Sequence, residues 1–357
     1  TRTGSLGDVM KESTDIALPE NFEVKSFLPR WWRRDDVPRQ LLWERELASR
    51  ARRDGCDVFL SLYQSATVFS SYKLKTKNYT LPKHIMVVHD IIPKLFPEYL
   101  GSLSRRWHWR GIERGIRKAD HIIAVSQSTE EDIEKHLGVV PERISIAHPG
   151  LSPIFATPAS DEQVSETLAR YGLERGYIYH GGGLEIRKNT QAVLEAYALL
   201  RGDPTVAHMP PIVISGQIHP KANPLATDVV GLIESLSLGH AVYLLGRVPE
   251  ADLPALYRGA SLFIYPSLYE GFGLPPVEAF SQSTPVIASR ASSLPEVCGD
   301  AALLVDPGEL DDIAAALRRL LNDAELRAEL GERGYQRSQD FSYARFVETI
   351  IKRCLSL

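Results

Sequence analysis

The sequence predicts an α/β protein made of two domains, each built around a parallel β-sheet. Short apolar runs alternate with longer amphipathic segments along the 357 residues. Strands that are apolar on both faces are typical of parallel sheets covered by helices on both sides. This length corresponds to about two domains of about 150 residues each. A content of 44% hydrophobic and 24% charged residues excludes disordered and collagen-like proteins.

Ten apolar runs are predicted as strands, and amphipathic patterns between them as helices. The strands are expected at 58–62, 85–89, 121–125, 144–147, 177–180, 212–215, 242–245, 262–265, 285–288 and 302–305. Clear helical patterns are present at 191–201, 251–258, 310–321 and 343–357. A proline-rich stretch at 149–158 follows the fourth strand, which predicts domains at 1–155 and 156–342.

The charge distribution and the cysteine content bear on the number of domains and on the cellular compartment of the protein. The net charge is −4, but the first 150 residues carry +4 and the remainder −8 by count from the sequence. This uneven distribution supports two domains and indicates that the basic domain meets an anionic surface. Cys56, Cys298 and Cys354 are far apart, odd in number and without metal-ligand spacing. We therefore expect reduced thiols in a cytoplasmic protein. No apolar run approaches the ~18 residues of a membrane span, and no secretory signal is present.

The most informative stretch is 262–279, which reads LFIYPSLYEGFGLPPVEA. A buried strand is predicted to end at Tyr265, a loop with Gly271 and Gly273 follows, and Pro275–Pro276 opens a helix. Ligands of open α/β sheets bind at such carboxyl ends of strands. Two glycines let backbone N–H groups approach an anion, and the helix N-terminus adds positive potential.

Two carboxylates flank this predicted anion site. Glu270 precedes the glycine loop, and Glu278 lies eight positions later in the helix. A carboxylate repels phosphate but accepts hydrogen bonds from hydroxyl groups, so the ligand should carry both groups. A nucleotide diphosphate sugar has a diphosphate between two hydroxyl-bearing sugars. The alternative is that Glu278 only favours the helix dipole and Glu270 is an ordinary loop residue.

These residues carry a family resemblance. EGFGLPPVE at 270–278 resembles the Glu-x7-Glu signature of retaining glycosyltransferase family 4. YHGGGLEIRKN at 179–189 resembles the glycine loop of that family that ends in Arg-Lys-Asn, and VVHDIIPKLFP at 87–97 resembles a segment of bacterial polysaccharide sugar transferases. AVSQST at 124–129 and IAHPG at 146–150 follow in the same order. The resemblance covers roughly residues 55–350 and implies the GT-B fold, with two Rossmann-like domains facing across a cleft and the last helix packed back on the first.

The resemblance also implies roles for individual residues. Glu270 would contact the transferred sugar, Arg187 and Lys188 would neutralise the diphosphate, and His89 would lie across the cleft near the reacting sugar. Glu278 would hold the ribose hydroxyls. The remaining expected substrate contacts are Gly271, Phe272, Gly273, Leu274, Gly182, Gly183, Asp90 and Ser126.

The resemblance implies an enzyme that works without a metal ion or another cofactor, so cations and oriented dipoles would stabilise the diphosphate leaving group. Asp311–Asp312 is interpreted as an ordinary helix start. Retention would follow from attack on the front face of the sugar, with the departing phosphate accepting the proton of the acceptor. Two departures from the family are present: Gly183 stands where many members have arginine, and Gly4 and Gly7 have no strand ahead of them.

The expected reaction is transfer of mannose or glucose from GDP-mannose or UDP-glucose to a glycan or lipid-linked glycan of cell-surface polysaccharide synthesis, with the Arg-Lys-Asn and His-Asp variants favouring mannose. Three other readings are considered. A non-hydrolysing sugar-nucleotide epimerase would lack the paired glutamates, and a dinucleotide oxidoreductase would need G-x-G-x-x-G after its first strand. A non-catalytic nucleotide-sugar-binding partner would keep the same donor residues.

A possible membrane surface is suggested by arginines interleaved with tryptophans at 27–43 and 103–118. Basic and aromatic residues in this pattern attract anionic lipid, which would place the protein peripherally at the inner face of the cell membrane. The alternative is a solvated helix with its tryptophans packed inward. Nucleic acid binding is disfavoured by a pI of 6.2 and by the lack of a recognised module.

Overall fold

The computed structural model describes residues 47, 50, 51, 53–68, 81–206, 208–219 and 223–356. The chain divides into two compact units. The first contains the described residues up to Met86 together with Leu100–Asp120, and the second contains Val87–Tyr99 and the residues from His121 onward. Predictions on Gly4, Gly7 and residues 27–43 lie outside the described residues.

The described residues form ten strands and twelve α-helices. The strands are β1 (Val58–Ser61), β2 (Lys83–Val88), β3 (His121–Ala124), β4 (Ile144–Ile146), β5 (Ile178–His180), β6 (Ile212–Ser215), β7 (Val242–Gly246), β8 (Leu262–Tyr265), β9 (Val286–Ser289) and β10 (Ala302–Val305). The helices are α1 (Ile92–Leu95), α2 (Leu103–Lys118), α3 (Gln127–Leu137), α4 (Asp161–Tyr171), α5 (Thr190–Leu200), α6 (Val229–Ser235), α7 (Leu253–Gly259), α8 (Leu274–Ser281), α9 (Leu294–Cys298), α10 (Leu310–Asn322), α11 (Ala324–Ser338) and α12 (Tyr343–Leu355).

The strands form two sheets, one of four strands in the order β1-β2-β3-β4 and one of six in the order β10-β9-β8-β5-β6-β7. The registered strand pairs in both sheets are parallel. The predicted α/β class with two parallel sheets is therefore confirmed, and each predicted strand overlaps an observed one. The change from one sheet to the other falls between Ile146 and Ile178. The predicted domains at 1–155 and 156–342 stay a prediction.

Strands β5, β6, β8 and β9 of the six-stranded sheet are buried on both faces, as their continuous apolar residues predict. Along β8, Leu262 and Ile264 belong to one core cluster, which includes buried side chains of α5 and α10. Phe263 and Tyr265 belong to the other, which includes side chains of α4, α7 and α8. Successive side chains of a strand point to opposite faces of the sheet, so the two clusters cover its two sides and hold the carboxyl ends of β5 and β8 in fixed positions.

Helix α2 divides its two tryptophans between outside and inside. Trp107 is 58% exposed, whereas Trp109 is 5% exposed and donates its indole N–H to Glu113 over 3.0 Å. The expectation of inward packing therefore holds for Trp109 and is wrong for Trp107. None of the helices in the part of the chain that the structure describes is long and apolar enough to cross a membrane.

Candidate active site

The site is built where two neighbouring strands end. Strand β5 pairs with β8, so the segments that follow them lie side by side. After β5 the chain passes through three glycines into a 3-10 helix at Ile186–Lys188. The Arg187 carbonyl accepts the N–H of Leu268 at 2.8 Å and the hydroxyl of Ser267 at 2.9 Å. These bonds bring Arg187 and Lys188 next to the chain that leads to Glu270.

Glu270 is the centre of a buried ionic cluster. The residue is 7% exposed. Its Oε1 accepts from Lys188 Nζ at 2.7 Å, and its Oε2 lies 2.8 Å from an Arg187 guanidinium nitrogen. The hydroxyls of Tyr265 and Ser267 also donate to Oε1, at 2.9 and 2.6 Å. Both carboxylate oxygens are therefore held, and three residues predicted as catalytic are brought together.

Charge pairing determines the ionisation of this cluster. Burial raises the pKa of the Glu270 carboxyl, but Lys188 and Arg187 outweigh burial and hold the pKa below its usual value. Burial lowers the pKa of the Lys188 ammonium, against the attraction of Glu270. Glu185 contacts the other side of Arg187, with its carboxylate 2.8 Å from Nε. Two cations and two carboxylates thus stand together with no formal net charge.

The loop of residues 270–274, called here the EGFGL loop, begins at this cluster and leads into α8. Gly271 packs so tightly that a Cβ there would lie 1.9 Å from the His89 carbonyl oxygen. Gly273 precedes α8 with a φ of 114°, which side chains other than glycine rarely adopt. Glycine is therefore required at both positions, and the loop is fixed against the backbone at the end of β2.

Other predicted residues lie around this loop. The His89 side chain is exposed and the Asp90 side chain is half-buried, and burial raises the pKa of the Asp90 carboxyl. Ser126 is fully buried; its hydroxyl accepts from Thr129 N–H at the start of α3 and donates to the Gly271 carbonyl at 2.6 Å. The structure thus places Ser126 behind the loop.

The remaining expected substrate contacts lie in the EGFGL loop and in the glycine segment that follows β5. The Phe272 ring is buried, with its centroid 5.7 Å from that of His148, and Leu274 is half-buried. Gly182 lies close to Tyr265, since a Cβ there would meet the ring at 3.0 Å. A Cβ added at Gly183 would lie in open space.

Glu278 lies on α8 and accepts a hydrogen bond from the Tyr257 hydroxyl at 2.8 Å. Burial raises the pKa of the Glu278 carboxyl to about 7, against the hydrogen bond from Tyr257, and Glu250 adds to the increase. The Glu270 and Glu278 carboxyls thus have their pKa values moved in opposite directions. His180, the last residue of β5, is fully buried between the Ile264 carbonyl and the Thr190 hydroxyl, and burial lowers its pKa to about 4.

Several residues at the site were not singled out as site residues in the sequence. Tyr257 contacts Glu278 from 21 residues earlier in the chain, and Glu185 contacts Arg187 from two residues earlier. Thr129 and Ser293 donate hydroxyls to carbonyls of the EGFGL loop. The only sequence signal for Thr129 is its place in AVSQST. Among the described residues there is no group of three or more His, Cys, Asp or Glu side chains placed to hold a metal ion.

Family models match both halves of the chain. The model described as "Glycosyltransferase Family 4" matches residues 12–155. The model described as "Glycosyl transferases group 1" matches residues 171–337, which include the ionic cluster and the EGFGL loop. The family resemblance carried by the motifs is confirmed by these matches and by the relatives below.

Two curated relatives from Escherichia coli are named mannosyltransferases. O-antigen chain mannosyltransferase B is 32% identical over 281 residues, covering 77% of this chain and 72% of the relative. Serotype-specific mannosyltransferase WbdA is 30% identical over 273 residues, covering 76% of this chain and 33% of the relative. The chain thus spans most of the first relative and about a third of the second.

Solved structures share the fold at low sequence identity. Sucrose-phosphate synthase from Thermosynechococcus elongatus matches with a TM-score of 0.71 and 19% identity, covering 93% of this chain and 81% of that one. Alr3699/HepE of Anabaena, solved in complex with UDP-glucose, matches with a TM-score of 0.66 and 21% identity, covering 77% and 73%. The fold is therefore GT-B, the fold of these glycosyltransferases.

Proposed function

This chain belongs to glycosyltransferase family 4 and is a hexosyltransferase, and we propose that it moves mannose from a nucleotide diphosphate sugar to a glycan of cell-surface polysaccharide synthesis. The names of the two Escherichia coli relatives, which are mannosyltransferases, support mannose. GDP-mannose is the first donor to test, and UDP-glucose is the alternative. The UDP-glucose complex of HepE supports a nucleotide sugar as the class of donor.

The observation that carries the proposal is the buried cluster of Glu270, Lys188 and Arg187 at the start of the EGFGL loop. Two cations suit a diphosphate, and a carboxylate suits sugar hydroxyls. We assign the diphosphate to Arg187 and Lys188 and the transferred sugar to Glu270. A donor that binds here exchanges part of the internal pairing of the cluster for pairing with phosphate.

In the proposed reaction the bond between the anomeric carbon and the diphosphate oxygen breaks, and its electron pair leaves with the diphosphate. Arg187, Lys188 and the N-terminus of α8 stabilise the developing negative charge. The acceptor hydroxyl attacks from the same face and passes its proton to the departing phosphate, which retains the configuration. The cations make a metal ion unnecessary in this scheme. His89 and Asp90 are proposed to lie beside the reacting sugar.

We assign the ribose of the donor to Glu278. Among the described residues its carboxyl accepts one hydrogen bond, from Tyr257 at 2.8 Å, and a carboxylate can accept several more. Ribose hydroxyls would therefore complete its shell. The pKa of Glu278 is raised to about 7, so its carboxyl is mostly protonated below that pH. Binding of the nucleotide sugar below pH 7 therefore releases a proton from Glu278.

Contact with an anionic membrane is proposed for helix α2 in the first unit. Leu103 is 82% exposed and Trp107 is 58% exposed, four positions apart on one side of the helix. The exposed basic side chains of this helix are Arg105, Arg106, Arg110, Arg114, Arg117 and Lys118. An exposed apolar stripe with surrounding positive charge is typical of interfacial helices, and such contact would bring the enzyme to a lipid-linked acceptor.

Donor identity is tested by thermal unfolding of the full chain with GDP-mannose, UDP-glucose, GDP and UDP, each with and without EDTA. Binding at 100 times the dissociation constant stabilises by about 2.7 kcal/mol. We expect a shift with GDP-mannose and GDP that EDTA does not remove. A shift with UDP-glucose and UDP alone would replace mannose by glucose, and no shift with any of them would reject the proposed donor class.

Membrane contact is tested by sedimentation with phosphatidylglycerol-containing vesicles. Trp107→Ser should reduce the bound fraction, whereas Ile351→Ser, on the exposed face of α12, should not; Ile351 is 51% exposed. Equal binding of both variants and the original protein would reject α2 as the membrane surface.

A further inference from the structure

The backbone carbonyls of the EGFGL loop are held by side-chain hydroxyls. The Gly271 carbonyl accepts two of them, from Ser126 at 2.6 Å and from Thr129 at 3.0 Å. The Ser293 hydroxyl lies 2.5 Å from the Phe272 carbonyl oxygen and 3.0 Å from that of Glu270. Ser126, Thr129 and Ser293 are all fully buried or nearly so. Three successive carbonyls are thus fixed from behind by groups that have no charge.

Fixing these carbonyls also fixes the direction of the N–H groups. A peptide unit is planar and trans, so its carbonyl and its N–H point in opposite directions. The bonds from Ser126 and Thr129 to the Gly271 carbonyl therefore point the Phe272 N–H away from α3. The bond from Ser293 to the Phe272 carbonyl points the Gly273 N–H away from the start of α9 in the same manner.

The N–H groups that result have no protein acceptor in the described part of the chain. Hydrogen bonds among those residues use the carbonyls of Gly271 and Phe272, and none uses the N–H of Phe272 or Gly273. Buried backbone N–H groups in proteins are nearly always paired. Two directed donors at the end of a helix, beside Lys188 and Arg187, suit an anionic or hydroxyl-bearing ligand.

We infer that Ser126, Thr129 and Ser293 are positioning residues that set the EGFGL loop so that its N–H groups, and not its carbonyls, meet the donor. This inference rests on the proposed function for the identity of that ligand, a nucleotide diphosphate sugar. A peptide rotated the other way would turn a carbonyl oxygen toward the phosphate or sugar hydroxyls. The ligand would then face a partial negative charge instead of an N–H hydrogen-bond donor. Ser126, expected to touch the substrate, acts through the loop instead.

The test compares Thr129→Val and Ser293→Ala, singly and together, with two controls. Thr129→Val keeps the shape of the side chain and removes the hydroxyl, and Thr129→Ser restores it. Thr284→Val makes the same change at a buried threonine whose hydroxyl donates to the Tyr257 carbonyl at 2.8 Å, outside the loop. Affinity is measured by calorimetry for GMP and GDP-mannose; if the original protein binds UDP-glucose better, UMP and UDP-glucose replace them.

The double variant should bind the nucleotide sugar about tenfold more weakly, the value of a hydrogen bond to a charged group, and bind GMP unchanged. GMP lacks the distal phosphate and the sugar, so a general loss of structure would weaken both ligands together. Thr129→Ser and Thr284→Val should bind both as the original protein does. Equal loss for GMP and nucleotide sugar, or no loss for either, would overturn the inference.

A crystal structure of the ligand-free double variant gives a readout that needs no donor. The inference expects a changed orientation of the peptide between Phe272 and Gly273, whose carbonyl loses the Ser293 hydroxyl, and an unchanged peptide there would contradict it. Failure of the proposed function has a different signature, because the original protein would then bind no nucleotide sugar while the loop of the variant still rearranged.

Discussion

Replacing Glu270 by glutamine tests the ionic cluster most directly. The carboxylate accepts from Lys188, Tyr265 and Ser267 on one oxygen and faces Arg187 with the other. An amide has a single acceptor oxygen, so Glu270→Gln sets an NH₂ group against one set of donors. It also leaves Lys188, which is 5% exposed, without a neutralising charge.

The size of the effect follows from the burial of the cluster. Removing one partner of a buried ion pair costs about 3–5 kcal/mol, and the retained amide oxygen favours the lower end, about 3 kcal/mol. With an unfolding entropy of about 2.1 cal/mol/K per residue over 357 residues, that corresponds to a fall in melting temperature of about 4 °C. Circular dichroism melting measures it. Glu329→Gln is the control: Glu329 pairs with Arg333 on the surface at 2.5 Å, and such pairs contribute about 0–1 kcal/mol.

Diphosphate binding should change in the opposite direction. Glu185, Arg187, Lys188 and Glu270 contribute two positive and two negative charges in the original protein, and Glu270→Gln removes one of the negative charges. GDP should therefore bind about tenfold more tightly to the variant, equivalent to about 1.4 kcal/mol, while sugar transfer is lost. A variant that melts with the original protein, or binds GDP no more tightly, would refute the reasoning on this cluster.

Three further predictions follow from the same geometry. Gly271→Ala should reduce transfer at least about a hundredfold, a cost of about 3 kcal/mol, because its Cβ would lie 1.9 Å from the His89 carbonyl oxygen. Steady-state rates measure this loss. The control Gly183→Ala, which places a Cβ in open space but at a φ of 106°, should reduce transfer less. Burial raises the pKa of Glu278 from 4.5 to about 7. The contribution of this carboxyl to stability is therefore full below pH 4.5 and is lost as pH rises through about 7. Melting temperatures that depend on pH no more steeply than those of Glu278→Gln would contradict this prediction. Nucleotide affinity should fall as pH decreases below 7, by up to tenfold per pH unit, and calorimetry with Glu278→Gln should remove that dependence.

Much of the fold could be predicted because its information is local. Parallel strands buried on both faces appear as short continuous apolar runs, and β8 with its residues LFIY is a clear case. The EGFGL loop that follows could also be predicted from local sequence, since Glu270, Gly273 and Glu278 lie within nine residues of one another. These residues were found from spacing and from the demands of phosphate and hydroxyl groups.

The long-range contacts of the site could not be predicted in this manner. Lys188 meets Glu270 across 82 residues because β5 lies next to β8 in the sheet, and no local pattern states that order. Ser126 meets Gly271 across 145 residues, so nothing in the local sequence indicates that its hydroxyl donates to the EGFGL loop. Tyr257 was invisible for the same reason.

Helix α2 shows a further limit of local reasoning. Trp107 and Trp109 stand in the same arginine-rich segment, but they are two positions apart and so lie on different sides of a helix. Trp109 is packed inside and Trp107 is exposed. Composition indicated a basic aromatic surface, and only the helix position of each residue determines which tryptophan belongs to it.

The most direct test of the account is release of GDP from GDP-mannose by the full chain, with mannose-terminated oligosaccharides as acceptors and EDTA present, followed by NMR of the new linkage. We expect acceptor-dependent GDP release and an α-linked product, and Glu270→Gln should bind GDP-mannose without releasing GDP. Binding of GDP-mannose by the original protein without turnover, or loss of turnover when EDTA is added, would contradict the proposed metal-independent mannosyl transfer.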